Sequence, residues 1–284
     1  MSNPEFDLAD FVRRVLAEDL GSGGDVTSLA TIDPDARFSA TMNCREAIVV
    51  AGLDIAAAFF RSLDREVRID VYVSDGEMLV AGTTMMRLEG NARALLSAER
   101  SALNTIQHLS GIATLTRRYV DAIAGTGAVL LDTRKTLPGL RLLDKYAARM
   151  GGAQNHRMRL DDGVLIKDNH VAVNGGVAAA VARARVAATG LQLQVEVDRL
   201  EQIEPALEAG AERLLLDNMN PEQLRVAVAL VAGRVPTEAS GGVGLDTIRS
   251  IAESGVTFVS VGRITQSAPA VDIGLDFAIV GSPV

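Results

Sequence analysis

The chain has 284 residues, of which 48% are hydrophobic and 23% are charged, a composition that excludes an intrinsically disordered protein. Its formal charge of −8 gives no general attraction for nucleic acid or an anionic membrane surface, and its single cysteine, Cys44, excludes an internal disulfide framework. Without a signal-peptide pattern at the N-terminus or a run of roughly 18 apolar residues, we expect a soluble, cytoplasmic enzyme.

The first hundred residues mix helical and extended patterns. Apolar residues at helical spacing predict a helix over 7–20, ended by Gly21. Strands are predicted over 47–52 and 67–73, and a helix over 56–63. Residues 92–119 predict one or two helices, interrupted near Ser110-Gly111. These elements predict an α+β domain.

Beyond residue 125, short strand-like runs alternate with alanine-rich helical stretches. The runs are 129–132, 164–166, 193–197, 214–216, 235–238 and 258–261. The helical stretches include 177–188, 200–209, 221–231 and 245–254. This alternation predicts parallel strands with crossover helices, in a complete or incomplete α/β barrel. A doubly wound open sheet is the alternative, although no Gly-x-Gly-x-x-Gly turn follows the first strand.

The predicted strands end in ionisable residues or glycines. Enzymes with this fold place their chemistry at the carboxyl ends of the barrel strands. The residues at these ends are Asp132, Thr133, Arg134, Lys135, Lys167, Glu196, Asp217, Glu238, Ser240, Gly241, Gly242 and Gly262. A single charge after an apolar strand can simply mark where the chain reaches the surface, so only the whole series indicates a site.

Residues 133–167 form a basic segment, with eight Lys or Arg and three Asp. Their net charge of +5 leaves −13 on the rest of the chain. Arginine groups in such a segment suit a small polyanionic ligand, which they bind in bidentate fashion. His156, beside Arg157, adds a possible donor. We expect Lys145 and Arg149 to lie on a solvated helix face instead.

Glu196 and Asp217 end successive predicted strands, so their carboxylates are expected side by side. Such a pair can hold Mg²⁺ while substrate phosphates complete its shell, or it can act in general acid–base chemistry. Ser240-Gly241-Gly242 and Gly262 suit a phosphate, which backbone N–H groups could approach closely. No activated Ser or Cys nucleophile is evident, and His108 and His170 are expected to be structural. The sequence therefore predicts a site that positions charged substrates.

Several segments resemble the quinolinate phosphoribosyltransferase family, also called carboxylating nicotinate-nucleotide pyrophosphorylases. The most specific is Asp132-Thr133-Arg134-Lys135-Thr136-Leu137-Pro138-Gly139-Leu140-Arg141. Shorter matching motifs occur in the family's order, at 18–21, 24–27, 99–104, 155–157, 165–170, 195–197, 216–218 and 240–242. The resemblance extends from about residue 15 to about residue 276.

The resemblance implies an α+β sandwich domain followed by an open, seven-stranded α/β barrel. We expect the first domain to cover residues 1–111 together with the C-terminal tail 268–284, and the barrel to cover 112–267. The family's reaction joins quinolinate to phosphoribosyl pyrophosphate with Mg²⁺, giving nicotinate mononucleotide, pyrophosphate and CO₂ in NAD biosynthesis. It also implies an obligate homodimer in which the N-terminal domain of one subunit covers the barrel of the other.

The resemblance also implies roles for individual residues. Arg134, His156, Arg157 and Lys167 would hold the quinolinate carboxylates, with Thr133 nearby and Arg100 reaching in from the partner subunit. Lys135 would contact phosphoribosyl pyrophosphate, while Glu196 and Asp217 would serve its ribose hydroxyls and the metal. Ser240, Gly241 and Gly262 would bind the 5′-phosphate. The candidates for catalysis are Lys135, Lys167, Glu196 and Asp217.

Three positions depart from the family's pattern. Gln266 replaces a frequent histidine, Arg263 replaces a small residue, and Ala153 replaces the third residue of a frequent triple glycine. We expect Arg263 to point outward.

The residues of the site disfavour alternative functions. Lys167 stands where Schiff-base aldolases carry their lysine, but the dense arginines and the carboxylate pair disfavour that chemistry. A repurposed relative, such as a molybdenum-transport-associated protein, is disfavoured by the intact cationic residues. Nucleic-acid binding has little support in an acidic chain with three Tyr and no Trp.

Overall fold

The computed structural model describes residues 6–187 and 190–279. The chain divides into two compact units, one formed by residues 1–115 and 268–284 and the other by residues 116–267. We call them the N-terminal unit and the barrel unit. The division falls between Leu115 and Thr116, four residues beyond the boundary predicted at 111/112.

The N-terminal unit combines helices with antiparallel strands. Its helices are α1 (Leu8–Leu20), α2 (Val26–Thr31), α3 (Leu53–Leu63) and the first part of α4 (Ala92–Ala122). Its strands are β1 (Arg37–Cys44), β2 (Ile48–Val49), β3 (Arg68–Val71), β4 (Met78–Leu79), β5 (Thr84–Asn91) and β12 (Ile273–Ile279). One sheet has the order β12-β1-β5-β3, and β2 pairs with β4. The C-terminal strand therefore belongs to the first unit.

Local signals in the sequence explain the first helix. The Asp7 side chain accepts the N–H of Asp10 at 2.9 Å, which satisfies one of the free donors at the start of α1. Gly21 ends the helix with a φ of +53°, which glycine adopts readily. The buried stripe of α1 includes Phe11, whose ring lies 6.1 Å from that of Phe59 on α3. The predicted helix over 7–20 is thus confirmed.

The predicted interruption of α4 at Ser110-Gly111 is wrong. The helix is continuous, and both residues serve packing instead. The Ser110 hydroxyl accepts the N–H of Ala51 at 3.0 Å. A Cβ at position 111 would lie 2.1 Å from the carbonyl oxygen of Pro269, so glycine permits this close approach of two backbone segments.

The barrel unit alternates parallel strands with helices. Its strands are β6 (Val129–Leu131), β7 (Val164–Ile166), β8 (Leu193–Val197), β9 (Arg213–Asp217), β10 (Thr237–Ser240) and β11 (Phe258–Ser260). The helices that follow α4 are α5 (Arg141–Met150), α6 (Asp168–Val173), α7 (Val177–Ala187), α8 (Ile203–Glu208), α9 (Pro221–Val231), α10 (Ile248–Ala252) and α11 (Arg263–Gln266). A 3₁₀ turn at Leu200–Gln202 precedes α8.

The sheet of the barrel unit is open, because its edge strands β6 and β7 are not paired with each other. Its six strands have the order β6-β11-β10-β9-β8-β7, and an isolated parallel bridge joins Leu131 to Gln154 at the β6 edge. Between Gln154 and β7, the described residues form no strand pairing. The expected open α/β barrel is therefore confirmed, with the Gln154 bridge in the place of a seventh strand.

The positions of most predicted barrel elements are confirmed to within a few residues. The predicted helix over 177–188 is found as α7, and its last residue lies outside the described part of the chain. The strand predicted at 235–238 instead occupies 237–240, so Glu238 lies inside β10 rather than at its end. The predicted helix at 245–254 is shorter, as α10.

Side chains alternate across the barrel strands, so every second residue of β8, β9 and β10 faces the interior. The parallel register places Gln194 beside Arg213, Glu196 beside Leu215, and Leu215 beside Glu238. The interior of the barrel unit therefore carries polar side chains along the length of these strands, up to their carboxyl ends. No helix in the described part of the chain is long and apolar enough to cross a bilayer.

Candidate active site

A cavity of about 560 Å³ opens at the carboxyl ends of the barrel strands. This volume lies in the usual range for small-molecule sites. The predicted site residues that line it are Thr133, Arg134, Lys135, His156, Arg157, Lys167, Glu196, Asp217, Ser240, Gly241 and Gly262. Arg100 belongs to the N-terminal unit, where it is exposed on α4. The fold thus brings together every predicted site residue of the barrel unit.

Arginines 134 and 157 form the strongly cationic part of the cavity. The Nε of Arg134 is buried and has no hydrogen-bond partner among the residues the structure describes. Burial, and then the nearby charge of Arg134, lower the pKa of Arg157 below its usual value. The Arg157 Nη1 donates to the Gly163 carbonyl at 2.8 Å. Two adjacent guanidinium groups, one with an unsatisfied donor, favour a ligand with more than one negative charge.

Lys145 corrects the prediction of a solvated helix face. Its side chain is fully buried on α5 and forms an ion pair with Asp132, whereas Arg149 on the same helix is exposed as predicted. Asp132 also accepts the N–H of His156 at 2.8 Å and a hydrogen bond from the Asn155 amide. Asp132 therefore connects the end of β6 both to α5, through Lys145, and to the segment that carries Arg157, through Asn155 and His156.

Lys135 is held at the cavity by the loop that follows β6. Its backbone N–H donates to the Thr133 hydroxyl at 3.0 Å, and its carbonyl accepts the Thr265 hydroxyl at 2.8 Å. A Cβ on Gly262 would lie 2.8 Å from the Cδ of Lys135. The absence of a side chain at position 262 therefore leaves room for this lysine.

Glu196 and Asp217 lie at the carboxyl ends of β8 and β9, where both residues line the cavity. Lys167 donates to Glu196 Oε2 at 3.0 Å, and the Asn218 amide donates to Asp217 Oδ2 at 2.6 Å. Burial, and then the charge of Glu196, raise the pKa of Asp217 above its usual value. The two carboxylates therefore repel each other, and a bound cation or a donor hydroxyl would relieve this repulsion.

These two carboxylates suit a metal ion that brings its other ligands with the substrate. Mg²⁺ usually binds to proteins through one or two carboxylates and completes its shell with water and substrate phosphates. No cluster of three or more His, Cys, Asp or Glu residues suited to a metal occurs in the described ranges. The donor set thus fits a substrate-borne Mg²⁺ at Glu196 and Asp217.

Asn218, Gly241 and Gly242 shape the end of the cavity where a phosphate is expected. All three have positive φ angles, and the Asn218 N–H donates to the Ser240 carbonyl at 2.9 Å. Consecutive residues with such angles, here Gly241 and Gly242, can turn backbone N–H groups toward an anion. Arg263 is exposed and does not line the cavity, as expected for an outward position.

No substrate role was predicted for Asn218, Ser260 or Glu238. All three line the cavity. The available signals were the motif at 216–218 and the strand-end position predicted for Glu238, and neither specifies a contact with a ligand. Arg141, the last residue of the family motif, donates to the Thr136 hydroxyl and to the Met158 carbonyl and does not line the cavity.

Comparisons with known proteins agree with this architecture. The quinolinate phosphoribosyl transferase C-terminal domain matches residues 112–276, and the N-terminal domain of the same family matches residues 25–110. The chain belongs to the quinolinate phosphoribosyl transferase family. The resemblance inferred from the sequence motifs is thereby confirmed.

Relatives of this family match over nearly the whole chain. The nicotinate-nucleotide pyrophosphorylase [carboxylating] of Mycobacterium leprae is 46% identical, over 97% of this chain and 99% of its own length. The crystal structure of NadC from Streptococcus pyogenes has a TM-score of 0.93 at 38% identity, covering 96% of this chain and 97% of that one. The nicotinate-nucleotide pyrophosphorylase from Francisella tularensis has a TM-score of 0.92 at 39% identity, over 95% and 96% of the two chains.

Proposed function

We propose that this chain transfers the phosphoribosyl group of phosphoribosyl pyrophosphate to quinolinate, with loss of CO₂, in the synthesis of NAD. The product is nicotinate mononucleotide, and pyrophosphate is released. The observation that carries this proposal is the pair of guanidinium groups at the cavity, with the buried, unsatisfied Nε of Arg134. Quinolinate is a dianion with adjacent carboxylates, and arginines bind such groups in bidentate fashion.

The reaction needs no nucleophile from the protein. The lone pair of the pyridine nitrogen forms the new bond to C1 of the ribose, while the bond from C1 to pyrophosphate breaks and pyrophosphate leaves with its electron pair. The carboxylate beside the nitrogen then leaves as CO₂. The electron pair remains on the ring carbon, stabilised by the adjacent ring cation, and that carbon takes a proton from water. The protein supplies position and compensating charge.

The cavity residues divide these tasks by location. Arg134, Arg157 and Lys167 bind the quinolinate carboxylates, with Thr133 beside them. The direct contact predicted for His156 is revised, because its Nδ1 accepts the Arg157 N–H and its Nε2 faces Glu238. Lys135 contacts phosphoribosyl pyrophosphate. The backbone around Ser240, Gly241 and Gly262 accommodates the 5′-phosphate.

Glu196 and Asp217 face the developing positive charge of the ribose and hold its hydroxyls. They would also hold Mg²⁺, which stabilises the charge of the departing pyrophosphate when bound. Lys167 donates to Glu196, so it also orients this carboxylate.

We further propose that the protein acts as a cytoplasmic homodimer in which Arg100 of one subunit contributes to the site of the other. The exposed position of Arg100 on α4 supports this assignment, because the side chain is accessible to a partner. An additional guanidinium group would bring more positive charge to a dianionic substrate.

A product assay tests the reaction. Purified protein is incubated with quinolinate, phosphoribosyl pyrophosphate and Mg²⁺, and nicotinate mononucleotide and CO₂ are quantified. Equal amounts of both products are expected from quinolinate, and none from nicotinate. Arg134→Ala should lower kcat/KM about ten- to a hundredfold, the effect of losing a charged hydrogen bond. A folded protein that forms no product from quinolinate would overturn the proposal.

A further inference from the structure

Glu238 is a buried carboxylate that the proposed reaction does not use. Its side chain is fully buried in β10, yet it lines the cavity. Its Oε2 lies 2.6 Å from Nη2 of Arg213 and accepts the Gln194 amide at 2.7 Å. A buried carboxylate is tolerated only where such partners compensate its charge.

Three partners at one oxygen, Oε2, keep this carboxylate ionised, while Oε1 has no hydrogen-bond partner among the described residues. Burial alone would raise the pKa of Glu238, but the contact with His156 and the charge of Arg213 outweigh it, so the pKa lies below its usual value. Arg213 is itself packed over the ring of Phe258, with its guanidinium carbon 3.9 Å from the ring centroid. The negative charge is therefore held in place beneath the cavity.

His156 connects this carboxylate to Arg157. Its Nδ1 accepts the backbone N–H of Arg157 at 2.8 Å, so in the neutral ring the proton is on Nε2. The Nε2 faces Glu238 Oε2 at 3.5 Å. An ionised carboxylate accepts hydrogen bonds but cannot donate one, so the ring nitrogen that faces it should carry the proton. This favours the same Nε2–H tautomer. The two contacts thus specify one orientation and one tautomer of the ring.

The segment that carries the Arg157 guanidinium is consequently held from both sides. The Asp132 carboxylate accepts the backbone N–H of His156 at 2.8 Å, and the imidazole accepts the next N–H along the chain. Loss of the imidazole acceptor would leave the Arg157 N–H without this partner. The orientation of the guanidinium depends on this segment.

We propose that Glu238 is a positioning residue, which holds His156 as the Nε2–H tautomer and so orients Arg157 for the carboxylates of the substrate. The substrate part of this inference rests on the proposed function. The part that concerns Glu238 and His156 does not, and the two can fail separately.

Nitrogen NMR of the histidine rings tests the tautomer directly. The chain has three histidines, so ¹⁵N-labelled protein gives few ring signals, and His156→Asn identifies the one of interest. The wild-type ring should show protonated Nε2 and unprotonated Nδ1. A protonated Nδ1 in the wild-type protein would overturn the inference without any further variant.

Glu238→Met tests the role of the carboxylate. Arg213, Gln194 and His156 all face the same oxygen, Oε2, so a glutamine could keep its carbonyl there and still accept from His156. Methionine has a similar length but no such acceptor, so the fixed tautomer should be lost. Glu253→Met, at an exposed glutamate of the barrel unit, is the matched control and should leave the ring signals unchanged. An unchanged His156 spectrum in folded Glu238→Met would contradict the proposal.

The kinetic test is a double-mutant cycle. Glu238→Met should raise KM for quinolinate about tenfold, the size of a lost charge-assisted contact, and leave KM for phosphoribosyl pyrophosphate within about twofold. In a His156→Asn background, the asparagine keeps an acceptor for the Arg157 N–H but does not extend to Glu238. There Glu238→Met should add little, because both changes act on one contact. Additive effects, or equal rises in both KM values, would show that Glu238 has only a structural role.

Discussion

Two glycines of the cavity accommodate neighbouring atoms in different ways. Gly241 has a φ of +95°, and a Cβ there would lie 2.1 Å from the Asn218 side-chain oxygen and 2.9 Å from the Asn218 backbone nitrogen. Gly262 has an ordinary φ of −69°, and its added Cβ would meet the Cδ of the flexible Lys135 side chain at 2.8 Å. A substitution at 241 therefore strains the backbone, whereas one at 262 displaces a side chain.

The two alanine variants should separate stability from binding. Gly241→Ala should lower the free energy of unfolding by about 1–3 kcal/mol, the cost of a left-handed conformation for a residue with a Cβ. Gly262→Ala should change it by less than about 0.5 kcal/mol, but should raise KM for phosphoribosyl pyrophosphate several-fold by moving Lys135. Urea unfolding and steady-state kinetics measure the two effects. Equal losses of stability would contradict this distinction.

The raised pKa of Asp217 makes its contribution to stability depend on pH. Burial, and then the charge of Glu196, raise the pKa of this carboxyl above its ordinary value of 3.8. The folded protein therefore binds this proton more tightly than the unfolded chain does. The cost of ionising Asp217 is absent below the unfolded pKa, grows as pH rises toward the folded pKa, and is fully present above it.

Asp217→Asn should therefore stabilise the protein more at pH 7 than at pH values near 4. The asparagine removes the charge but keeps an oxygen for the Asn218 amide. The free energy of unfolding is measured by urea titration of both proteins across this range. Asp19→Asn, at an exposed position of α1, controls for the loss of one negative charge. A stability difference for Asp217→Asn that shrinks as pH rises would contradict the raised pKa.

At the scale of elements, one buried ion pair joins α5 to the end of β6. Lys145 and Asp132 are both fully buried, and Lys145 also lies 3.4 Å from the Thr133 carbonyl. Burial raises the pKa of Asp132 and lowers that of Lys145, against the attraction between the two groups. Each charge is therefore tolerated only because the other is present.

Lys145→Met should destabilise the protein by about 3–5 kcal/mol, because it leaves Asp132 buried without its cation. Arg149→Met removes the same kind of charge from an exposed position of the same helix and should cost less than about 0.5 kcal/mol. Chemical denaturation of the two variants gives the comparison. Similar free energies of unfolding for both would show that Asp132 tolerates the loss of its cation.

Most elements could be predicted because their patterns are local. The strand over 164–166 and the helix over 221–231 follow from apolar periodicity, and Asn220 and Pro221 mark the start of the helix. The break expected at Gly111 was wrong because glycine serves there to admit Pro269, from a distant part of the chain. Such a contact leaves no local pattern.

At the scale of the whole molecule, subunit mixing tests the proposed homodimer. Arg100→Ala and Arg134→Ala should each keep at most about a tenth of the wild-type activity. If Arg100 acts in the partner's site, a mixed dimer of the two variants contains one site with both arginines intact. Random reassociation of equal amounts should then restore about a quarter of wild-type activity. No recovery, despite mass-spectrometric detection of mixed dimers, would show that Arg100 does not act across subunits.

The sequence by itself determined the parallel α/β architecture and the ionisable residues that gather at the strand ends. Both follow from periodicity and from the geometry of parallel strands, which apply whatever the details of packing. Only the tertiary structure decided that Lys145 and Glu238 are buried. A charged side chain is stable in the interior only when a partner from another element compensates it. For these residues, Asp132 and Arg213 provide that compensation, and their approach depends on how the barrel folds.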